Sequence, residues 1–421
     1  SWCDCRVGFI SDMEHWGIET FFTISTTTAE HTPSISDKLF VWPNFIDSDI
    51  FKDYGAEKVT PILYTGTRNS LYPWRQKIYD ITINHFLSVE HPHTGYTRQS
   101  ALTIYGEKYA RAINASWFVP ACGSVAKEVI RKHFEIPGAK SCLITEKSPS
   151  LEAAGFVDLQ NCIIVDETDV LDKLNYLFLN TDELERIISA GYEMVHTKHT
   201  FKQRNQILQW YNLSKNLKSD EKIIQNNPFG DLSIVKASSN ISSKYIIGNG
   251  EHLKLIHEGD RYLATNNYNE AEAKYLECLR YIPWMSEPKL KLAICCLHKG
   301  EGSKALDWLV TLMQQNLGTY SRAFGPDPIE WAYLIKALLC NGKVDDAFIR
   351  SKQFLSLSHP ELNRIKLILI YLIKTKVSKG ETINNKFTKQ NNSIHQIPHL
   401  DLKDWIMNLH SILIACQQFE L

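Results

Sequence analysis

The chain has 421 residues and a formal net charge of -1, with 46 Lys plus Arg against 47 Asp plus Glu and a pI of 6.9. At about 150 residues per domain, that length predicts two or three domains with sizeable cores, and the balanced charge excludes the basic field that nucleic acid or an anionic membrane surface selects. Ten cysteines lie scattered without C-x-x-C spacing or the density of a disulfide scaffold, which predicts buried free thiols in a reducing, cytoplasmic setting.

No secretory signal and no transmembrane segment is expected, since a bilayer span needs about 20 apolar residues. The chain opens at Ser1 without Met and enters "RVGFIS" at once, so it is expected to be cut from a longer protein. In chain order, "RVGFIS", "TFFTIS", "KLFVWPN", "VTPILYTG", "ITINHF", "ASWFVP", "KSCLIT" and "NCIIVD" read as strands, each followed by polar or periodic sequence. Strands alternating with helices predict an α/β fold with a mainly parallel sheet, whose ligands sit outside the carboxyl ends of the strands. "TDELERIISAGYEMVHTKHTFKQRNQILQWY" reads as a helix with Thr181 as N-cap, weakened or bent at Gly191 and continuing through "TFKQRNQILQWY". From about Leu213 to Gly250 the composition turns to Asn, Ser and Lys without a period, as in a linker.

A helical region follows. Gly259, Tyr262, Ala271, Tyr275, Cys278 and Pro283 fall on the small and large positions of a helix-turn-helix repeat of about 34 residues. One period later come Ala293, Cys296, Ala305, Leu309 and Leu312, and a third copy carries Trp331, Leu334, Leu338, Ala347 and Phe354. These residues resemble tetratricopeptide repeats; the alternative, an ordinary helical bundle, does not predict the period. A polar stretch after Thr375 and the apolar "LKDWIMNLHSILIACQQF" are expected to end the array as a capping helix.

In "RKHFEIPGAKSCLITEKSPSLEAAGF" a carboxylate, Glu135, stands at the mouth of an expected short helix that feeds a buried strand. A cap is one reading. The other is an acceptor for both hydroxyls of a ribose, with Gly138 and Ala139 admitting close backbone approach. "VTPILYTGTRNSLYPWRQKI", "YGEKYARAINASWFVPACGS", "KHFEIPGAKSCLITEKSPSLEAAGF" and "NCIIVDETDVLDKLNYLFLNTDELERIISAGYEMVHTKHTFKQRNQIL" resemble consecutive blocks of the C-terminal Rossmann half of group 1 glycosyltransferases of the GT-B type, in the spore-maturation (CgeB-like) branch. The resemblance spans about Lys58 to Tyr211.

It implies that Glu135 is the second Glu of the E-x7-E signature, which holds the ribose of a nucleotide-sugar donor. The first Glu falls at Lys127, with Glu128 one place off, so the signature is incomplete. Gly66 ends the first strand of this half as in the family, and Arg68 and Arg75 are candidates to offset diphosphate charge, Arg75 near a helix start; each is otherwise a solvated surface charge. The family implies no metal and no cofactor beyond the donor. The first fifty residues then read as the last strands of the other half and the crossover, with that half mostly missing.

Three patterns are weaker. Asp47-Ser48-Asp49 has the D-x-D form of metal-dependent transferases but reads better as a cap, while His91 and His93 lack a third ligand and Cys3 and Cys5 read as packing. Asp12 and His15 are polar candidates near a strand end, equally readable as loop residues. No residue is assigned as catalytic.

The expected organisation is thus residues 1–50 as remnant and crossover, 51–212 as a nucleotide-sugar-binding Rossmann domain, 213–249 as linker, 250–375 as tetratricopeptide-like repeats, and 376–421 as polar stretch and capping helix. The leading function is transfer of a sugar from a nucleotide-sugar donor to a sugar or protein acceptor, with the repeats binding a protein partner or the acceptor. The runner-up is a non-catalytic scaffold on which a degenerate transferase domain supports the repeats.

Overall fold

The computed structural model describes residues 7–91, 103–319, 325–374 and 391–421. The chain divides into an α/β unit, Phe21–Glu30 with Leu39–Glu251, and a helical unit, Ser1–Thr20, His31–Lys38 and His252–Leu421.

The α/β unit opens with strands β1 (Phe21–Thr23) and β2 (Leu39–Val41), which pair parallel to each other. Its main sheet has five parallel strands: β3 (Thr60–Thr65), β4 (Ser88–His91), β5 (Ser116–Pro120), β6 (Cys142–Thr145) and β7 (Ile163–Ile164), in the order β4-β3-β5-β6-β7. Helices cover both faces, so the inner strands carry apolar residues on both sides. Along β3, Leu63 joins one layer with Val119, Leu143, Phe134 and Val195, while Ile62 and Tyr64 join the other with Phe118, Ile144, Ile78 and Leu174. The period of two thus builds two cores from one sheet.

The covering helices are α1 (Pro73–Thr82), α2 (Gly106–Asn114), α3 (Arg131–Gly138), α4 (Val170–Leu179), α5 (Thr181–Lys198) and α6 (Gln206–Lys215), and a hairpin of β8 (Glu221–Gln225) and β9 (Leu232–Lys236) follows.

Several local expectations are corrected. "RVGFIS" leads into a helix, Val7–His15, whose buried Val7, Ile10 and Met13 recur every three residues. "ITINHF" closes α1, where the Thr82 hydroxyl donates to Ile78 O, and the strand is the half-exposed Ser88–His91 instead. Asn180, not Thr181, occupies the N-cap of α5. Gly191 does not interrupt that helix; a Cβ there would lie 2.6 Å from Asn161 O, so glycine lets α5 pack against this loop. The helix stops at Lys198, and α6 begins only at Gln206. The stretch expected as linker contains the β8–β9 hairpin. It is tied down by Gln225, whose side-chain amide exchanges two hydrogen bonds, of 2.8 and 2.9 Å, with the backbone of Val41 in β2.

The helical unit pairs α7 (Glu251–Ala264) with α8 (Tyr268–Tyr281), through Gly259 on Tyr275 and the Lys274–Glu258 ion pair, α9 (Ser286–His298) with α10 (Gly302–Thr319), and α11 (Pro328–Cys340) with α12 (Val344–Ser351), followed by α13 (Pro360–Lys374) and α14 (Leu402–Ala415). Ala271, Ala305 and Ala347 are fully buried in the hairpin cores, and a Cβ at Gly259 would lie 2.5 Å from the Tyr275 ring. Small residues are what this close approach requires. α14 packs on α9 and α11 through Trp405, Leu409, Ile412 and Leu413. The segment before it is held by His395, whose imidazole lies between Glu287 (2.6 Å) and Glu330 (2.8 Å). Among the described residues no helix is long and apolar enough to cross a membrane.

Candidate functional site

In the order β4-β3-β5-β6-β7 the chain goes from β3 to one neighbour, β4, and then returns to the other side of β3 with β5. That reversal opens a crevice at the carboxyl ends of β3 and β5, where open parallel sheets bind ligands.

β3 ends at Thr65 and turns at Gly66, whose φ of +93° is left-handed backbone that favours glycine. A Cβ at Gly66 would lie 2.6 Å from Lys132 Nζ and 2.9 Å from the Nη1 of Arg75, so glycine leaves room for two cations. Arg75, third residue of α1, is buried; its Nη1 donates to Thr67 O at 2.7 Å, its guanidinium lies 4.4 Å over Tyr72, and its Nε has no partner among the described residues. Lys132 comes from the first turn of α3 and donates to Thr65 Oγ1 at 3.0 Å. Desolvation, helped by the Arg75 charge, pulls its ammonium down to about 7.

One turn further along α3 stands Glu135, 8% exposed and within the helix rather than at its mouth. Burial pushes its carboxyl up to about 7 against the pull of Lys132 and Arg131. On α2, Tyr109 reaches Thr65 Oγ1 at 3.3 Å, and burial beside Glu135 raises its phenol. Two cations, a carboxylate and two hydroxyls therefore converge on Gly66 from β3, α1, α2 and α3. Such a set complements an anion joined to a polyol.

Residues 68–209 match the family model described as "Glycosyl transferase-like". No curated protein matches the chain. Among solved structures, the chain is similar to the C-terminal domain of a glycosyl transferase group 1 family protein (LpcC) from Francisella tularensis, at 15% identity over 37% of this chain and 98% of that one, with a TM-score of 0.29. It is also similar to Anabaena Alr3699/HepE in complex with UDP-glucose (11% identity, 42% of this chain and 58% of that one, TM-score 0.36) and to sucrose-phosphate synthase from Thermosynechococcus elongatus (9%, 42% and 53%, 0.35). The chain thus spans little more than half the length of these last two proteins.

Gly66, just before the glycosyl transferase-like segment, and Arg75 and Glu135 within it come together, and two other candidates do not join them. Arg68 forms an ion pair with Glu90 at 2.9 Å and lies 3.6 Å over the Tyr79 ring. Gly138 ends α3 against the side chain of Ile46, 2.5 Å from where a Cβ would lie, so its small size makes room for that side chain. Glu128, one place off the signature, accepts hydrogen bonds from the hydroxyls of Ser25, Thr26 and Thr27 and from the backbone N–H groups of Thr26 and Thr27. Its carboxylate is committed to that loop.

Asp47 accepts a hydrogen bond from Asp49 N at 2.9 Å and so caps a turn. His91 ends β4, while His93, Cys3 and Cys5 lie outside the described residues. Asp12 and His15 lie on the Val7–His15 helix of the helical unit, not at a strand end. Among the described residues no group of three or more His, Cys, Asp or Glu is placed to hold a metal ion.

The sequence reading passed over Lys132 and Glu146. Lys132 precedes Glu135 by three residues, a spacing that puts both on one helix face. Glu146 directly follows β6 and is buried; its Oε2 lies 3.8 Å from Lys127 Nζ, and burial pushes the carboxyl up to about 7. A carboxylate at the carboxyl end of a buried strand was the signal available.

Proposed function

We propose that the glycosyl transferase-like segment holds a nucleotide-sugar donor of the GT-B type and that the chain serves transfer of the sugar to an acceptor. The observation that carries this reading is the meeting of Arg75 and Lys132 around Gly66, one helix turn from Glu135. In this reading the two cations face the diphosphate and Glu135 accepts the ribose hydroxyls. Breaking the bond between sugar and diphosphate builds negative charge on the leaving oxygen, and cations already in place stabilise that charge without reorganising. No metal is needed for this step when Arg75 and Lys132 supply the charge. The helical hairpins, read as tetratricopeptide-like, bind a protein partner or present the acceptor. A cytosolic setting goes with this reading, since the eight described cysteines are buried free thiols.

A second reading, a scaffold with a degenerate transferase domain, draws on Lys127 in place of the first Glu and on the commitment of Glu128 to the Ser25–Thr27 loop. Thermal unfolding with UDP, GDP, ADP and CDP, each in the presence of a chelator, separates the two. A ligand at a hundred times its Kd adds about 2.7 kcal/mol of stability. A rise in melting temperature with one diphosphate supports the donor reading. No rise with any of them supports the scaffold, and a rise that needs manganese overturns the metal-free form.

A further inference from the structure

Two buried polar atoms in the crevice have no hydrogen-bond partner among the described residues: Arg75 Nε, a donor, and Glu146 Oε1, an acceptor. Arg75 lies in the first turn of α1, tied by its Nη1 to Thr67 O just past β3, while Glu146 directly follows β6, and the Arg75 charge acts on the Glu146 carboxyl. Each unpaired atom costs free energy until a ligand or water meets it.

The packing alternative for Glu146 is its ion pair with Lys127 together with the pull of the Gly123 backbone N–H, but the ion pair uses Oε2, and Oε1 has no hydrogen-bond partner among the described residues. The carboxylate just upstream of α3, Glu128, is held by the Ser25–Thr27 loop. A phosphate oxygen would satisfy Arg75 Nε but has no proton to give Glu146 once that carboxyl is ionised, above about pH 7. A hydroxyl donates to a carboxylate and accepts from a guanidinium at once, so it suits both atoms.

We propose that Glu146 is a further donor-reading residue, whose free Oε1, together with Arg75 Nε, takes a hydroxyl of the transferred sugar. This rests on the donor reading above. It assigns sugar discrimination to the end of β6, separate from the ribose contact at Glu135.

The test is isothermal titration of the full chain and of Glu146→Gln, which keeps the shape, with the diphosphates UDP, GDP, ADP and CDP and with UDP-glucose, GDP-mannose and ADP-glucose. The wild type is expected to bind one nucleotide sugar at least tenfold more tightly than its parent diphosphate. Glu146→Gln is expected to lose that preference about tenfold while binding the diphosphate itself within twofold of wild type and melting no lower than wild type. Equal loss for the sugar-bearing and sugar-free ligands makes Glu146 a structural or phosphate-side residue and overturns the assignment. So does an unchanged preference, which is what a bridging water at the two atoms predicts, and so does a wild type without any preference. A wild type that binds none of the diphosphates removes the donor reading itself, a result distinct from a failure at Glu146 alone.

Discussion

The ammonium of Lys132 lies 2.6 Å from the point that a Cβ on Gly66 would occupy. Turn and cation are therefore one device, and Gly66→Ala acts on it in two ways. The left-handed backbone strains any residue with a Cβ by roughly 1–2 kcal/mol, and the methyl displaces Lys132 and Arg75. Gly55→Ala is the control, since its φ of +65° brings the same strain with nothing within 4 Å. Both variants should lose similar stability by thermal unfolding, and only Gly66→Ala should weaken diphosphate binding, by about tenfold or more in titration calorimetry. Equal affinities in the two variants would separate Gly66 from the ligand.

Glu135 should show opposite signs in stability and binding. Its folded value, about 7, lies above the ordinary 4.5, so ionising it costs stability that is absent below pH 4.5 and complete above pH 7. Removing that cost with Glu135→Gln should stabilise the ligand-free protein at pH 8 by roughly 1 kcal/mol, after the lost attraction to Lys132 is set against it. The same change should weaken the matching diphosphate by at least about tenfold, because a ribose contact to a carboxylate is charge-assisted. Urea unfolding and calorimetry at pH 8 check both, and a variant that is less stable with unchanged affinity would return Glu135 to a structural role.

Diphosphate binding should take up a proton. Lys132 titrates near 7 without ligand, and an anion beside it raises that value, so at pH 8 binding should draw in ~0.5 proton or more. Affinity should fall as pH rises from 7 to 9. Calorimetry in two buffers of different ionisation heat measures the uptake, and Lys132→Met should abolish it. Uptake that persists in the variant would assign the proton to another group.

Glu128→Ala should be among the most destabilising changes in the α/β unit. It strips the acceptor from three hydroxyls and two backbone N–H groups of Ser25, Thr26 and Thr27, at a cost on the order of 3 kcal/mol, with Glu128→Gln about half as costly. Chemical unfolding gives the values, and a loss under about 0.5 kcal/mol would mean that water replaces the carboxylate at no cost.

His395 should make the helical unit less stable in alkali. The carboxylates of Glu287 and Glu330 on either side, with Asp327 near, hold its imidazole well above the ordinary 6.5 despite burial, while Lys291 offsets part of the charge on Glu287. Its contribution is therefore complete below pH 6.5 and lost as pH rises through the raised folded value. Melting curves of wild type and His395→Gln should converge as pH increases from 6.5 toward 10. A gap that stays constant would show that the imidazole serves only as a hydrogen-bond bridge.

How far the sequence could be read depended on burial. β3, β5, β6 and β7 stood out because strands covered on both faces are apolar along their length. β4 is an edge strand with Val89 and Glu90 exposed, so it shows no such run, and the neighbouring "ITINHF" drew the assignment to itself. The hairpin of β8 and β9 was hidden by its many Asn, Ser and Lys, although a Gln225 side chain holding β2 leaves no trace in composition. At the site, family resemblance pointed to Gly66, Arg75 and Glu135. Glu146 and the unpaired Arg75 Nε emerge only when β3, β5 and β6 are side by side, because their relation is spatial rather than sequential. The contacts of Arg68 with Glu90 and of Gly138 with Ile46 were hidden for the same reason, since these partners are remote in the chain.

The bond between Gln225 and Val41 also constrains how the protein is made. β1 and β2 pair only with each other as named strands, and a two-stranded ribbon is marginal in water by itself. The amide that completes β2 comes from 184 residues later. On the ribosome, Leu39–Val41 must therefore wait while the whole five-stranded sheet is translated, and the nascent chain carries an unfinished edge until Gln225 has emerged. A chain that ends before Gln225 would hold β2 without that strap.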